Sequence, residues 1–288
     1  LIERRVYMYH IGMTQWIVGN EPLEESCKRL EKYDYDGIEF AADPYHLDIA
    51  KCRELMEKYH LNCHSLCGLF DESRDLTDDG EAGENAVRYL KDSVKFAKAV
   101  GAKIIIVVPS PVGRTAKPEN VSLENITANA IKNIREAADY AQKYDIKFAI
   151  EAINRYETYF INTLEKALDF VRKINHPAVG IMADTFHMSI EERNIADSLL
   201  MVKDYLLHVH IADNTREAAG MGNIDFKEIL CVLNRIGYAG SLTMEFMYRM
   251  ANPYSAQEMN TQSMLIDQYA KQAIEYIRMV EKELEEFK

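Results

Sequence analysis

Eight short apolar segments, each followed by an amphipathic stretch, recur along the whole 288-residue chain. They cover residues 6–13, 37–40, 61–66, 103–108, 147–151, 179–184, 206–211 and 241–246. Most are apolar on both faces and rich in Ile and Val, as strands of a parallel sheet covered on both sides must be. A strictly repeated strand–helix unit predicts an α/β fold, the closed (β/α)8 barrel. A doubly wound open sheet fits less well, because the count is eight and no Gly-rich phosphate turn is present. No composition shift or low-complexity linker interrupts the pattern, so residues 1–288 read as one domain, as α/β barrels of this length commonly are. Val87, Leu90, Val94 and Ala97 form one helical stripe, with Gly101 where a helix should stop. The same helix–glycine–strand junction is expected at Gly37 and Gly237. The last helix carries Ile266, Ala270, Ala273, Ile277, Val280 and Leu284 on its core side, and its acidic end from Glu281 reads as a solvated face.

Charge narrows the function classes. With 34 basic and 46 acidic side chains the net charge is −12, which argues against nucleic acid or an anionic membrane as partner. No apolar run approaches the roughly 20 residues of a spanning helix, and no secretory leader is visible, so a cytoplasmic location is expected. Five cysteines (Cys27, Cys52, Cys63, Cys67 and Cys231) without paired CxxC spacing read as buried free thiols. The acidic stretch Asp71 to Glu84 fails as a calcium loop, since Ala86 stands where the bidentate Glu should fall. A solvated loop near the barrel mouth is expected instead.

Active sites of such barrels lie at the C-terminal ends of the strands. Here the fifth strand ends at Glu151, the sixth at Asp184, the seventh near His210 and the eighth at Glu245, with separations of 33, 26 and 35 residues. Four consecutive strands thus deliver one metal-competent side chain each to one rim. This spacing favours a divalent-metal site over a structural ion cluster. Three carboxylates and one imidazole suit Mn²⁺, Mg²⁺ or Co²⁺ better than thiolate-seeking Zn²⁺.

At these residues the chain resembles the ketose 3-epimerases, the tagatose and psicose 3-epimerase group of the xylose-isomerase-like TIM barrels. The likeness rests on Glu151-Ala-Ile-Asn-Arg-Tyr-Glu157, the segment from Asp184 to Glu192, His208-Val-His210, Arg216, Gly220-Met-Gly222 and Thr243-Met-Glu245-Phe. It is strong over the C-terminal half and mainly architectural before it. The resemblance implies one divalent ion, Mn²⁺ first among the candidates, held by Glu151, Asp184, His210 and Glu245. It also implies Glu151 and Glu245 as the acid–base pair. Glu157, His187 and Arg216 match positions that hold the oxygens at the carbonyl end of the sugar. Relatives of this type form dimers or tetramers, so a homodimer or homotetramer acting on a small-molecule sugar is implied.

The chemistry explains these residue types. The C3 hydrogen of a ketose is weakly acidic because it lies α to the C2 carbonyl, and a metal polarising that carbonyl stabilises the enediolate. Inversion then needs a proton removed from one face and another returned to the opposite face, which two carboxylates on different strands can supply. Aldose–ketose or hydroxypyruvate isomerisation and inosose dehydration use related chemistry and stay open, as does a sugar-binding barrel without turnover.

Local readings compete at several positions. His187 could make only helix-start bonds, and Arg216 could be an ordinary surface arginine. His208, one layer deeper than His210, reads as a hydrogen-bonded core residue. The Gly220–Gly222 loop could close over substrate, as the resemblance implies. Loop 109–114 lacks the aromatics that line the far end of the sugar in the best-known epimerases. Trp16 could supply part of that wall. Arg114 is either a surface residue or a contact for an anionic group, and His64, placed at the end of the third strand, is a possible substrate contact.

Overall fold

A computed structural model describes residues 8–248 and 263–286. Eight parallel strands close into a barrel in sequence order: β1 (Ile11–Thr14), β2 (Gly37–Ala41), β3 (Ser65–Cys67), β4 (Ile104–Val107), β5 (Lys147–Glu151), β6 (Val179–Asp184), β7 (Leu206–Ile211) and β8 (Leu242–Met244). β8 pairs back onto β1 through Gly12 and Thr243, which leaves no free sheet edge. The segment expected from residue 6 begins the strand only at Ile11, and its first two positions lie outside the described residues.

Helices α1 (Leu23–Lys32), α2 (Ile49–Lys58), α3 (Glu81–Val100), α4 (Leu123–Gln142), α5 (Leu164–Ile174), α6 (Thr185–Glu191), α7 (Ile195–Val202), α8 (Phe226–Arg235) and α9 (Ser263–Glu286) cover the outside. The predicted stripe Val87, Leu90, Val94 and Ala97 is buried against the barrel, as are Ile266, Ala270, Ala273, Ile277 and Val280 of α9. Ser122, Thr163 and Asp225 cap α4, α5 and α8 by accepting backbone N–H bonds. Gly101 ends α3 in the left-handed conformation at φ 86. Gly37 does not play that part, because Asp34 takes the positive φ after α1. Gly37 instead lies in β2, where an added Cβ would stand 2.5 Å from the Asn62 carbonyl oxygen.

Two further expectations change. Glu281 is buried rather than solvated. It accepts the backbone N–H of Tyr9 at 2.9 Å and an Arg278 N–H at 2.9 Å, tying α9 to the entry of β1. Cys27, Cys52, Cys63 and Cys67 are buried free thiols, but Cys231 is exposed.

Strand side chains alternate between the helix layer and the barrel interior. The interior is chemically divided. Cys67, Ile106, Ala149 and Met182, from β3 to β6, pack together as an apolar plug. The other side is polar, with Thr14, Glu39, Ser65, His208, His210 and Thr243 all buried. Polar groups in such a place need partners, and those partners lead upward to the site.

Candidate active site

Strand register sets the site. Asp184 and His210 are direct neighbours across β6 and β7. His210 faces Thr243 on β8, and Glu245 follows two residues later on the same face. Glu151 pairs with Met182, so Asp184 lies two residues beyond it on the adjoining strand. Ligand-type atoms of Asp184, His210 and Glu245 lie within 4.8 Å of one another, and those of Glu151, Asp184 and His187 form a second such set. All five residues are buried.

The capping of α6 orients Asp184. Its Oδ1 accepts the N–H groups of Phe186 at 2.7 Å and His187 at 3.1 Å. Oδ2 is buried without a hydrogen bond, and so is Nδ1 of His210, 3.8 Å away. Nδ1 also stands 3.4 Å from Oε1 of Glu245. A buried unpartnered imidazole nitrogen facing unpartnered carboxylate oxygen is costly. A divalent cation satisfies all of these donor atoms together, so the residues fit the ion that the spacing suggested.

Electrostatics point the same way. Burial, and then the neighbouring Glu245 carboxylate, hold Glu151 well above the usual carboxylate range. Asp184 is raised too, by burial foremost and with Glu245 adding to it. Burial also pushes Glu245 upward, but His210 and Arg216 outweigh it and the pKa falls. Burial lowers His210, whereas Glu39 and Glu245 together carry it well above its ordinary value.

The sugar-facing residues predicted from sequence gather beside this cluster. Asn154 ties two of them together: its Nδ2 donates to Nδ1 of His187 at 2.8 Å and to Oε1 of Glu157 at 2.8 Å. Nδ1 of His187 is therefore the acceptor, and the ring proton sits on Nε2, 3.9 Å from Glu151. Burial lowers the His187 pKa, which keeps the ring neutral. Arg216 reaches Glu157 at 3.2 Å with Nη1 and Glu245 at 3.5 Å with Nη2, its guanidinium stacked over Phe186. It is buried, not a surface arginine, and its backbone is at φ 62. Asp213 organises that loop by accepting the N–H groups of Asn214, Gly220 and Ile224. A Cβ at Gly222 would come within 2.3 Å of the Asp213 carboxylate, so this glycine permits close packing of the loop.

Sequence reasoning missed Asn154, although it lies inside the quoted segment, because an Asn next to a turn reads as turn chemistry. Replacing it with Ala strands His187 Nδ1. With a cost of about 1–3 kcal/mol for such a loss, kcat/KM is expected to fall about ten- to hundredfold, as steady-state kinetics would show. Glu39 was also missed. Buried on β2, it accepts from His210, His208 and Ser65. Burial raises its pKa, but the two histidines outweigh that and hold it low.

A cavity of about 370 Å³ opens above the cluster. Glu151, His187, Arg216 and Glu245 line its inner end, while Trp16, Leu69, Phe70, Val108, Val112 and Ile153 make an apolar wall. Trp16 also donates its indole N–H to Glu245 at 3.1 Å. Loop 109–114 brings no aromatic to this wall, whereas Phe70, after β3, does. Burial pushes the Cys67 thiol far up, so it serves as wall and not as nucleophile. The acidic stretch is less solvated than expected: Asp75 is buried, caps Thr77 and pairs with Arg114 at 2.5 Å. Arg114, in the loop after β4, is thereby committed to the loop after β3. His64 lies before β3, beside Gly37 and with its ring 5.3 Å from that of His10, at the opposite end of the barrel. Substrate contact by His64 is therefore excluded, because a residue at the start of a strand faces the wrong mouth.

Comparison with known proteins agrees with this geometry. Residues 27–279 match the family model described as xylose isomerase-like TIM barrel. An L-ribulose 3-epimerase of Methylomonas sp. is 35% identical over 216 residues, 73% of each chain. A D-psicose 3-epimerase of Enterocloster bolteae is 32% identical over 214 residues, covering 71% of this chain and 70% of that protein. A solved D-allulose 3-epimerase from Methylomonas sp., in complex with D-allulose, superposes with a TM-score of 0.83 at 27% identity, covering 95% of this chain and 98% of that one. The chain belongs to the xylose isomerase-like TIM barrel family, and within it to the ketose 3-epimerases. It is accordingly an enzyme of the isomerase class, a carbohydrate epimerase. Among the described residues no helix is long and apolar enough to cross a membrane.

Proposed function

We propose that this protein inverts C3 of a free ketose with the help of one divalent cation, Glu151 and Glu245 exchanging the C3 proton. The observation that carries this reading is the placement of those two glutamates. They project from β5 and β8, separate sectors of the barrel, into one cavity whose inner end also holds His187 and Arg216. Glu151, Asp184, His210 and Glu245 hold the cation, with Mn²⁺ the first candidate and Mg²⁺, Co²⁺ or Zn²⁺ as alternatives. When bound, the ion supplies Lewis-acid polarisation of the C2 carbonyl.

One glutamate removes the C3 proton from one face and the other returns a proton to the opposite face. The neutral His187 donates from Nε2 to a sugar oxygen, and Arg216 donates beside it while Glu157 accepts. The apolar wall excludes water around the reacting carbons. Among the described residues no free basic side chain lines the cavity's outer part, since Arg74 is engaged with Asp71 and lies over the Tyr89 ring. This favours an uncharged ketose over a ketose phosphate.

The test is a panel of ketoses and ketose phosphates incubated with the Mn²⁺-loaded protein in D₂O and followed by NMR. Deuterium entering C3 while the product remains a ketose is expected. Deuterium at C1 with an aldose formed would overturn the reading in favour of isomerisation.

A further inference from the structure

Glu39 occupies a position that the proposed reaction does not explain. It sits on β2 with about 1% exposure and is not among the residues that line the cavity. A carboxylate in that setting is expensive unless its oxygens are fully engaged. They are: Ser65 Oγ donates to Oε2, His208 Nε2 lies 3.1 Å from Oε2, and His210 Nε2 lies 3.0 Å from Oε1. The reach is long in topological terms, since β2 and β7 are separated by β1 and β8 around the ring.

The arrangement fixes where protons sit. An ionised carboxylate only accepts, so both histidine nitrogens facing Glu39 must carry hydrogen. For His208 this leaves Nδ1 as acceptor, 3.5 Å from the Ser241 hydroxyl. For His210 it leaves the Nδ1 lone pair pointing at Asp184 and Glu245, the direction in which no hydrogen-bond partner is found.

Glu39, His208 and His210 could themselves be taken for a metal site, because their ligand-type atoms lie within 4.8 Å of one another. The hydrogen-bond inventory decides against it. No buried atom of Glu39 or His208 lacks a partner, whereas Asp184 Oδ2 and His210 Nδ1, one layer above, both do. The lower cluster is a closed network and the upper one is open.

We infer that Glu39 is the positioning residue of the cation site: from across the barrel it takes the Nε2–H of His210 and so presents Nδ1 to the ion. This rests on the cation site proposed above. A carboxylate behind a ligating histidine fixes its orientation and tautomer, and its loss ordinarily weakens metal affinity 10–100-fold.

The experiment is calorimetric titration of metal-stripped wild type and Glu39→Gln with Mn²⁺ alone. Circular dichroism and thermal unfolding of both stripped proteins serve as the check on folding. Mn²⁺ affinity about 10–100-fold weaker in a folded Glu39→Gln protein is the expected result. Equal affinity in the two would overturn the role of Glu39 while leaving the cation site standing. A wild type that binds no Mn²⁺ would overturn the site itself and this inference with it. Should Glu39→Gln fail to fold, the wild type still decides: in the Mg²⁺-loaded protein, long-range ¹H–¹⁵N NMR must place the remaining ring proton of His210 on Nε2. A proton on Nδ1 would rule Glu39 out as its acceptor.

Discussion

Glu245→Gln protein, supplied with Mn²⁺ and the ketose of the panel that the wild type exchanges, is expected in D₂O to lose C3 exchange by at least about 10²–10⁴-fold, the usual worth of a positioned acid or base. Gln matches Glu in size and keeps an oxygen, so the packing against Trp16 and Arg216 survives. Sugar binding should remain measurable by calorimetry for that reason. The replacement removes the group that takes up and releases the proton and also one anionic donor to the cation, so Mn²⁺ binding by the variant is measured alongside exchange. Glu151→Gln should behave alike, since one proton transfer is needed on each face. Exchange at the wild-type rate in either variant would refute the two-carboxylate mechanism.

The second large effect concerns the cation. Three buried carboxylates share this pocket, and burial with mutual repulsion already lifts the pKa of Glu151 and Asp184. Chelation should abolish exchange and lower the thermal midpoint together. Adding Mn²⁺ to 100 times its dissociation constant should return about 2.7 kcal/mol of stability. The pH dependence has a definite sign. Raised carboxyl groups hold protons that the ion must displace, so affinity should rise as pH climbs through their elevated pKa values and fall on acidification. Titration calorimetry across mildly acidic to neutral pH reads this directly. An affinity that fell with rising pH would contradict the assignment of these groups as ligands.

Architecture was largely legible in the sequence. Strands buried on both faces leave an unmistakable Ile- and Val-rich signature, and eight of them permit little besides a closed barrel. The end residues Glu151, Asp184, His210 and Glu245 were legible for the same reason, since a charged group finishing an apolar strand stands out. What escaped had the opposite character. Glu39 sits inside an apolar segment, and its partners come from β3 and β7, so no local spacing announces it. Asn154 acts through one amide group bonded to two side chains, a contact created only when the loop after β5 meets α6. Glu281 looked solvated because helical periodicity says nothing about what the next strand brings near. His64 was misplaced by the strand boundary: starting β3 at residue 65 moves it from the top of the barrel to the bottom.

The proposed ligands come from β5 to β8 alone, while the apolar wall of the cavity, apart from Ile153 after β5, is built by segments after β1, β3 and β4. The two halves of the barrel rim therefore carry different parts of the proposed reaction. Exchanges at Leu69, Phe70, Val108 or Val112 are expected to alter which ketose of the panel is turned over while Mn²⁺ affinity by calorimetry stays unchanged. Trp16 is the exception, belonging to the wall by its ring face and to Glu245 by its N–H. A change at Trp16 would therefore touch sugar fit and proton transfer together, where a change elsewhere in the wall would touch fit alone.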